Sequence, residues 1–284
     1  MQKNSRREPS ALNAAFLLFN IFMIAVLPLA ACTGKEEKSV SNSSAPAADE
    51  KKQPTDTGDF KVVYAQIKNA EYVELEKELR ESKLLETIAA DLNDTIALPF
   101  DIVISFDECN EVNAFYDPEK RQISICLELI EDLNDVFQKK SDSEDEAIEA
   151  TLNATIFVFF HELGHALVHA LKLPITGKEE DAVDQLSTFI LADGTDEGAQ
   201  AALDGAESFL SDEDQMGDLP FWDEHSLGPQ RFFNIVCWVY GQNPAKYASL
   251  VNNALPEQRA VRCEEEYKQI EKSWSTLLAP YMKK

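Results

Sequence analysis

Hydrophobic and polar positions divide the chain into three parts. Residues 14–29 form an almost unbroken apolar run, residues 33–58 show no apolar period, and from residue 59 onward apolar positions recur at the spacing of strands and helices. The middle part is rich in Ser, Ala, Pro and charge, a composition that cannot bury a core and is typical of a flexible tether. We therefore interpret the parts as a leader, a tether that begins with a cysteine, and one globular domain: 1–31, 32–58 and 59–284.

The leader has the parts of a secretory signal in their usual order: a basic start, a short apolar run and small residues before a cleavage point. The sequence "LAAC" (29–32) resembles a bacterial lipobox, which implies that Cys32 is diacylated and becomes the first residue of the mature protein. An uncleaved membrane anchor is the alternative, although the apolar run is barely long enough to span a membrane. Under both interpretations the domain is exported. Thr33 after the cysteine favours attachment to the outer membrane, with the domain facing the periplasm or the cell surface.

Strand-like segments come first in the domain. They are rich in β-branched residues or alternate between apolar and polar positions, and one segment with helical spacing, 70–92, lies between them. The Asp-Pro start of "DPEKR" (117–121) predicts a turn between the last two strands, which form a β-hairpin or are joined by a short loop. The predicted strands are 60–68, 100–106, 112–116 and 122–129.

A long apolar helix follows the strands. It is preceded by "SDSEDE" (141–146), in which a serine and several acids suit a helix N-terminus; a calcium site is the alternative interpretation of those acids. Pro174 ends the helix near residue 172, Gly177 allows a reversal, and the remainder of the chain is mainly helical. Strands followed by helices predict an α+β domain, with a small twisted sheet above the long helix and a mainly helical C-terminal lobe.

The charge of the chain argues against two classes of partner. The sequence has 51 acidic against 26 basic residues, a formal net charge of −25. Such an excess argues against nucleic acid and against docking on anionic lipid head groups. It names no substrate, and we interpret it as a solubilising surface.

Four cysteines remain once Cys32 is assigned to the lipobox, an even number in an exported domain, where disulfides persist. Three pairings are possible, and we favour the one in which each disulfide closes a short local excursion of the chain. No pair has the CxxC spacing, so zinc held by thiolates is not expected. The favoured disulfides are Cys109–Cys126 and Cys237–Cys263.

The main chemical signal is "HELGH" (161–165), inside the long helix. His161 and His165 lie about 6 Å apart along the axis on one face of the helix, so both imidazoles can reach one ion. Glu162 is rotated by about 100° from His161 and can take a proton from a water at that ion without binding the ion itself. Core histidines are the alternative, but two histidines and a glutamate in an apolar helix are costly unless paired or bound to metal. The motif therefore predicts one Zn²⁺.

A third ligand is expected because catalytic zinc usually has three protein ligands and one open position. After the turn, "EDAVD" (180–184) places Glu180 and Asp184 four residues apart on one face of the next helix. Glu180 can bind the ion, while Asp184 accepts a hydrogen bond from the far nitrogen of a ligand histidine and fixes that ring's orientation. A charged helix N-terminus is the alternative, and it suits Lys178 and Glu179 better than Asp184.

These motifs resemble the gluzincins, the thermolysin-like branch of zinc metallopeptidases, which carry HExxH on one helix and ExxxD on the next. The sequence "NAFY" (113–116) resembles the edge strand on which that branch lays its substrate backbone. The resemblance implies a zincin-like fold in which the main chain around Asn113 and Ala114 pairs with a peptide. It also implies that Glu162 is the general base and later the proton donor to the leaving amine.

The two remaining histidines receive different interpretations. His169 lies about 12 Å along the helix axis from His161, so the two cannot share one ion, and we interpret His169 as structural or as a support for a ligand. His225 is the only histidine outside the long helix. The resemblance to thermolysin-like enzymes implies that His225, oriented by Asp223, stabilises the oxyanion, and Tyr116 is the other candidate for that role. A loop histidine with no role is the alternative.

A second resemblance covers most of residues 60–284. The segments "NAFYDP", "HELGHAL", "GKEEDAVDQ" and "RCEEEY" resemble a bacterial family known as "putative metallopeptidases". Together the resemblances imply a zinc metalloendopeptidase that acts on a peptide or protein outside the cytoplasm.

Two alternatives keep the same zinc site: a non-catalytic zinc-binding lipoprotein and an amidase of cell-wall peptides. No fourth protein ligand is evident near the motif, and Glu162 would be unnecessary in a closed structural site, so catalysis is favoured.

Overall fold

The structure is a computed structural model that describes residues 55–210 and 221–283. The leader, Cys32 and nearly all of the tether lie outside these residues, as do residues 211–220. The described residues form an α+β fold with a small mixed sheet and a mainly helical C-terminal lobe, which confirms the predicted class.

Four strands form one sheet. They are β1 (Phe60–Val62), β2 (Ile102–Asp107), β3 (Ala114–Asp117) and β4 (Gln122–Cys126). Their order is β1-β2-β4-β3, with the first three parallel and β3 antiparallel to β4, so the predicted hairpin is present. β1 and β3 are the two edge strands. β3, called the outer strand below, therefore has one side without a strand neighbour among the described residues.

The N-terminal half differs from the prediction in two elements. The strand predicted to reach residue 68 stops at Val62, and the single predicted helix is in fact two: α1 (Val73–Ser82) and α2 (Leu84–Thr95). Lys83 separates the two helices with a φ of 56°, a left-handed backbone conformation through which an α-helix cannot continue. Leucines keep helical spacing within each helix, but the step from Leu79 to Leu84 is five residues, and the prediction of one continuous helix overlooked this change.

The second strand of the hairpin is also shorter than predicted. β4 ends at Cys126, and the residues that follow begin helix α3 (Leu127–Gln138). Its buried residues lie at helical spacing: Leu127, Ile130, Leu133 and Phe137. A short apolar run such as "ICLEL" fits a strand and a buried helix equally well, and the prediction of a strand to residue 129 was wrong for that reason.

Helix α4 (Glu144–Leu171) is the core of the domain. Its N-cap, Ser143, accepts a hydrogen bond from the main-chain N–H of Glu146, and the acids of the first turn complement the helix dipole. The acidic run is therefore a helix N-terminus here. α4 packs against α3, β3 and β4 and is mostly buried. Among the described residues it is the one helix long and apolar enough to cross a membrane, and its burial inside the domain explains that composition.

The C-terminal lobe is built on α4. Helices α5 (Glu179–Leu191) and α6 (Asp196–Ser208) both pack against α4, and α7 (Gly228–Gln242) packs against α5 and α6. A short helix, α8 (Glu257–Ala260), leads to α9 (Cys263–Leu278), which packs against α7.

Two disulfides join these parts, and they are the favoured pair. Cys109–Cys126 links the loop before β3 to the end of β4, and Cys237–Cys263 links α7 to the start of α9. Glu128 accepts hydrogen bonds from the main-chain N–H groups of Cys109 and Asn110. The loop that leads into the outer strand is therefore fixed at its base.

Candidate active site

Helices α4 and α5 approach each other closely next to the HExxH motif. Gly164 lies within that motif, and a Cβ atom at this position would be 2.6 Å from the Cβ of Val183 on α5. A glycine is therefore required for this approach. Farther along the same contact, Ser187 donates a hydrogen bond from Oγ to the carbonyl oxygen of Phe157 at 2.8 Å. The first turns of α5 consequently face the histidines of α4.

Glu180 of α5 lies at the centre of the site. Its Oε2 is 3.1 Å from His161 Nε2 and 3.0 Å from His225 Nε2. Its Oε1 is 3.3 Å from His165 Nε2. The structure thus brings the three predicted ligands together and adds His225 from the loop before α7. One ligand atom each from His161, Glu180 and His225 lie within 4.8 Å of one another.

Each of the three histidines also contacts a second carboxylate through its other ring nitrogen. The Nδ1–oxygen distances are 2.7 Å for His161–Asp184, 2.8 Å for His165–Glu179 and 2.9 Å for His225–Asp223. A histidine that binds a metal usually donates its other N–H to a carboxylate or a carbonyl, which fixes the tautomer and the ring orientation. All three imidazoles are therefore oriented with Nε2 toward the centre.

Arg231 of α7 holds Asp184 from the opposite side. It donates from Nε to Oδ2 at 2.8 Å and from Nη2 to Oδ1 at 2.7 Å, a bidentate ion pair. Its guanidinium also stacks over the Phe209 ring, 3.6 Å from the centroid. Burial alone would raise the pKa of Asp184, but Arg231 and His161 lower that pKa to about 2. Asp184 is therefore a buried, ionised carboxylate, and its contact with Nδ1 orients the His161 ring.

The loop that carries His225 is attached to the N-terminus of α5. Lys178 donates from Nζ to the carbonyl oxygens of Asp223 and His225, at 3.2 and 3.3 Å. Ser226 donates from Oγ to Asp181 Oδ1 at 2.6 Å. The position of the loop is thus coupled to the same helix end that supplies the central carboxylate.

Glu162 is buried beside the site and faces the outer strand. The main-chain N–H of Tyr116 is close enough to its carboxylate to lower the pKa of Glu162 slightly. Burial raises the pKa of Glu162, whereas the neighbouring imidazoles lower it, and the net direction is upward.

Alternate residues of an outer antiparallel strand turn their main-chain groups away from the sheet. Ala114, two residues before Tyr116, therefore faces the same free side, and its N–H bonds to Asn113 Oδ1 at 2.9 Å.

The side chain of Tyr116 has a different partner. Its hydroxyl lies 2.9 Å from Nδ1 of His169, and the His169 ring also contacts the ring of Phe100, with centroids 6.0 Å apart. These residues form a cluster beside the outer strand. Of the two candidates for stabilising the oxyanion, Tyr116 thus has its hydroxyl engaged with His169, whereas His225 presents Nε2 to the centre of the site.

The pKa shifts at the site follow from the contacts between its imidazoles and its carboxylates. Burial opposes protonation of His161 and His165, but hydrogen bonds to carboxylates raise the pKa of His161 and raise that of His165 to about 9. The hydrogen bond to Glu180 is the main reason why the pKa of His225 is raised. Although partial burial alone would raise the pKa of Glu180, its contacts with the three imidazoles hold that pKa well below its usual range.

This donor set suits a divalent metal ion. Imidazole nitrogens and one carboxylate converge, and each imidazole has a carboxylate behind it. Among the described residues, the group that could hold the ion is His161, Glu180 and His225, while His165 contacts the other oxygen of Glu180.

Some contacts of the site were not predicted from the sequence. Glu179 was interpreted as a helix-terminal charge, yet it contacts His165. The sequence gives one signal for the Glu179–His165 contact: Glu179 lies next to Glu180, on a helix that packs against α4. The contact of His225 with Glu180 joins residues 45 positions apart, and no spacing rule predicts such a pair.

The fold and the site together define a class. A zincin-like α+β domain whose HExxH helix meets a glutamate of the next helix beside an outer strand belongs with the metallopeptidases. A family model described as "Putative metallopeptidase" matches residues 64–278, and this chain belongs to that family. The matched range contains every residue of the site described above. The chain has no significant match among curated proteins or among solved structures.

Proposed function

We propose that this protein is a zinc-dependent endopeptidase of the gluzincin type, which hydrolyses peptide bonds in a peptide or protein outside the cytoplasm. The observation that carries the proposal is the convergence of His161, His165 and Glu180, with Glu162 buried next to them on the side of the outer strand. Membership in a metallopeptidase family supports the same class of reaction.

Zinc is the proposed metal because it prefers imidazole nitrogen and carboxylate oxygen. His161, His165 and Glu180 are the proposed ligands. When bound, zinc supplies Lewis acidity: it polarises the scissile carbonyl and lowers the pKa of water. Asp184 and Glu179 hold two of the imidazoles in the tautomer that directs Nε2 to the ion.

Glu162 is the proposed general base and general acid. Its carboxylate is buried beside His161 and His165, and the main-chain N–H of Tyr116 on the outer strand also acts on its pKa. From this position Glu162 accepts a proton from the attacking water and then delivers it to the leaving amine. This role needs a carboxylate that is close to the metal ligands but separate from them.

The outer strand β3 is the proposed substrate-binding edge. A peptide can add to the free side of this strand through main-chain hydrogen bonds. Ala114 faces that side, and Asn113, whose side chain now bonds to the Ala114 N–H, must release it for a peptide to pair there. His225, held by Asp223, is the group proposed to stabilise the oxyanion once substrate is bound.

Export and lipid attachment are part of the proposal. The lipobox at 29–32 supports a diacyl anchor on Cys32, and the tether supports a domain that extends from the outer membrane. Exchange of Cys32 for Ala is expected to abolish incorporation of a radiolabelled fatty acid, because the diacyl group is attached through the Cys32 thiol. A variant that keeps the label would remove the lipoprotein assignment and leave the peptidase assignment intact.

A non-catalytic zinc-binding lipoprotein is the second candidate. The observation in its favour is His225, a fourth protein group at the centre, because structural zinc sites are usually closed by four protein ligands. Glu162 argues against it, since a closed structural site has no use for a buried carboxylate beside its ligands. An amidase of cell-wall peptides would use the same residues.

The exchange of Glu162 for Gln separates catalysis from zinc binding. The variant is expected to keep its zinc, measured by mass spectrometry on protein purified without chelator, because Glu162 is not a proposed ligand. Cleavage of a mixed protein substrate is expected to fall by about 10²–10⁴-fold, the usual contribution of general acid–base catalysis. Glu149→Gln, an exposed site on the same helix, is the control.

If wild type and Glu162→Gln both hold zinc and yield the same products at the same rate, the peptidase proposal is wrong. A parallel assay with cell-wall peptides distinguishes the amidase, which would cleave them and leave the protein mixture intact.

A further inference from the structure

His225 differs from the helix histidines in its support. The side chains of His161 and His165 are 7% and 18% exposed and lie on the buried helix α4, whereas His225 is 45% exposed on a loop. The loop is attached to α5 by side-chain contacts from Lys178 and Ser226. Moving His161 or His165 requires a shift of the core helix, while moving His225 does not.

In its contacts, however, His225 resembles a metal ligand. Its Nε2 is 3.0 Å from the same Glu180 oxygen that His161 Nε2 approaches to 3.1 Å. The rings of His225 and His161 are nearly parallel, with an interplanar angle of 18° and centroids 6.5 Å apart. Asp223 accepts a hydrogen bond from the main-chain N–H of His225 and contacts its Nδ1 with the same oxygen. A carboxylate behind the imidazole is the usual support of a ligand.

We propose that His225 is a fourth zinc ligand when substrate is absent, and that substrate displaces it. This inference rests on the proposed zinc peptidase function and adds a resting state to it. Four protein ligands complete a tetrahedral zinc site and leave no open position, so the substrate-free protein is closed to water and to peptides. Displacement of His225 opens one position, and the imidazole remains on its loop, close enough to act on the developing oxyanion.

The supports of the four groups explain why His225 is the one that leaves. His161, His165 and Glu180 lie on the packed helices α4 and α5, and His161 is fixed further by Asp184 with Arg231 behind it. His225 instead depends on an exposed loop whose links from Lys178 are 3.2 and 3.3 Å long, near the upper limit for hydrogen bonds. His225 is the ligand that the surrounding protein holds most weakly, so it is the first to be displaced.

Zinc-edge X-ray absorption on the full chain with one equivalent of zinc tests this inference, because multiple scattering counts the imidazoles bound to the metal. We expect three imidazoles in the wild type and two in His225→Ala. Zinc affinity of His225→Ala, measured by competition with a chromophoric chelator, is expected to fall at least about tenfold, the lower end of the effect of losing a ligand's support. His169→Ala is the matched control, since His169 contacts Tyr116 away from the centre and is expected to change neither value.

Displacement is tested on the same samples with acetohydroxamate, a small chelating ligand of zinc. Saturating acetohydroxamate is expected to lower the count in the wild type from three imidazoles to two. Three imidazoles retained with acetohydroxamate bound would overturn displacement, and two imidazoles in the untreated wild type with equal affinity in His225→Ala would overturn the fourth ligand. A wild type that binds no zinc would instead refute the proposed function itself.

Discussion

The site has a helix side and a loop side, built from the same chemistry on different supports. On the helix side His161 has Asp184 behind it, and on the loop side His225 has Asp223 behind it. The side chain of Asp184 is 4% exposed and that of Asp223 is 34% exposed. The two imidazole–carboxylate pairs therefore have similar contacts but differ in how firmly the surrounding protein holds them.

The difference follows from what a buried charge requires. Asp184 is charged in the interior and needs Arg231 as a partner, so the helix side is a complete network whose members cannot move independently. Asp223 and His225 can exchange their contacts for water at little cost, because exposed charge pairs contribute little to stability. In the proposed zinc site, fixed and exchangeable ligands are combined because one imidazole–carboxylate pair lies on packed helices and the other on a loop.

The largest expected effect comes from Glu180, which both sides share. Exchange of Glu180 for Ala is expected to lower zinc affinity by more than about 100-fold, beyond the range seen when only a ligand's support is lost. Chelator competition measures it, and Glu179→Ala, which removes only the contact behind His165, is expected to have a smaller effect. Equal zinc binding by Glu180→Ala and wild type would show that the metal centre lies elsewhere.

A second substitution acts on the helix side without touching a ligand. Gly164→Ala places a Cβ 2.6 Å from the Cβ of Val183 and forces α4 and α5 apart. The free energy of unfolding is expected to fall by about 1–3 kcal/mol, the usual cost of overpacking, and zinc affinity is expected to fall with it. Denaturant unfolding measures the first quantity. Gly177→Ala is the control, because its Cβ would meet no atom within 4 Å; equal losses in both variants would contradict the packing argument.

The third test compares the two carboxylates directly. Asp184→Asn is expected to lower zinc affinity by about 10–100-fold and the free energy of unfolding by about 3–5 kcal/mol, since Arg231 loses its buried partner. Asp223→Asn is expected to lower zinc affinity less and to leave the midpoint of unfolding unchanged, because Asp223 lies at the surface. Chelator competition and thermal unfolding measure the two effects. Similar values for both variants would mean that the two sides do not differ in rigidity.

The fold class was predictable because its signals are local. The long helix α4 was predicted by its acidic start, its apolar period and the proline after its end, and each of these acts within a few residues. Prediction failed at two boundaries: the leucine spacing shifts between Leu79 and Leu84, on either side of Lys83, and "ICLEL" changes from strand to helix after Cys126. Packing against the rest of the domain decides such cases.

The sequence by itself determined the helix-borne part of the site, because residues one turn apart on a helix must share a face: His161 with His165, and Glu180 with Asp184. It also determined where the core helix begins and ends. Only the tertiary structure decided that Glu180 meets three imidazoles, that Arg231 completes the charge of Asp184, and that a loop histidine reaches the centre. These contacts join elements distant along the chain, and their distances are set by how closely the helices pack, which no local pattern encodes.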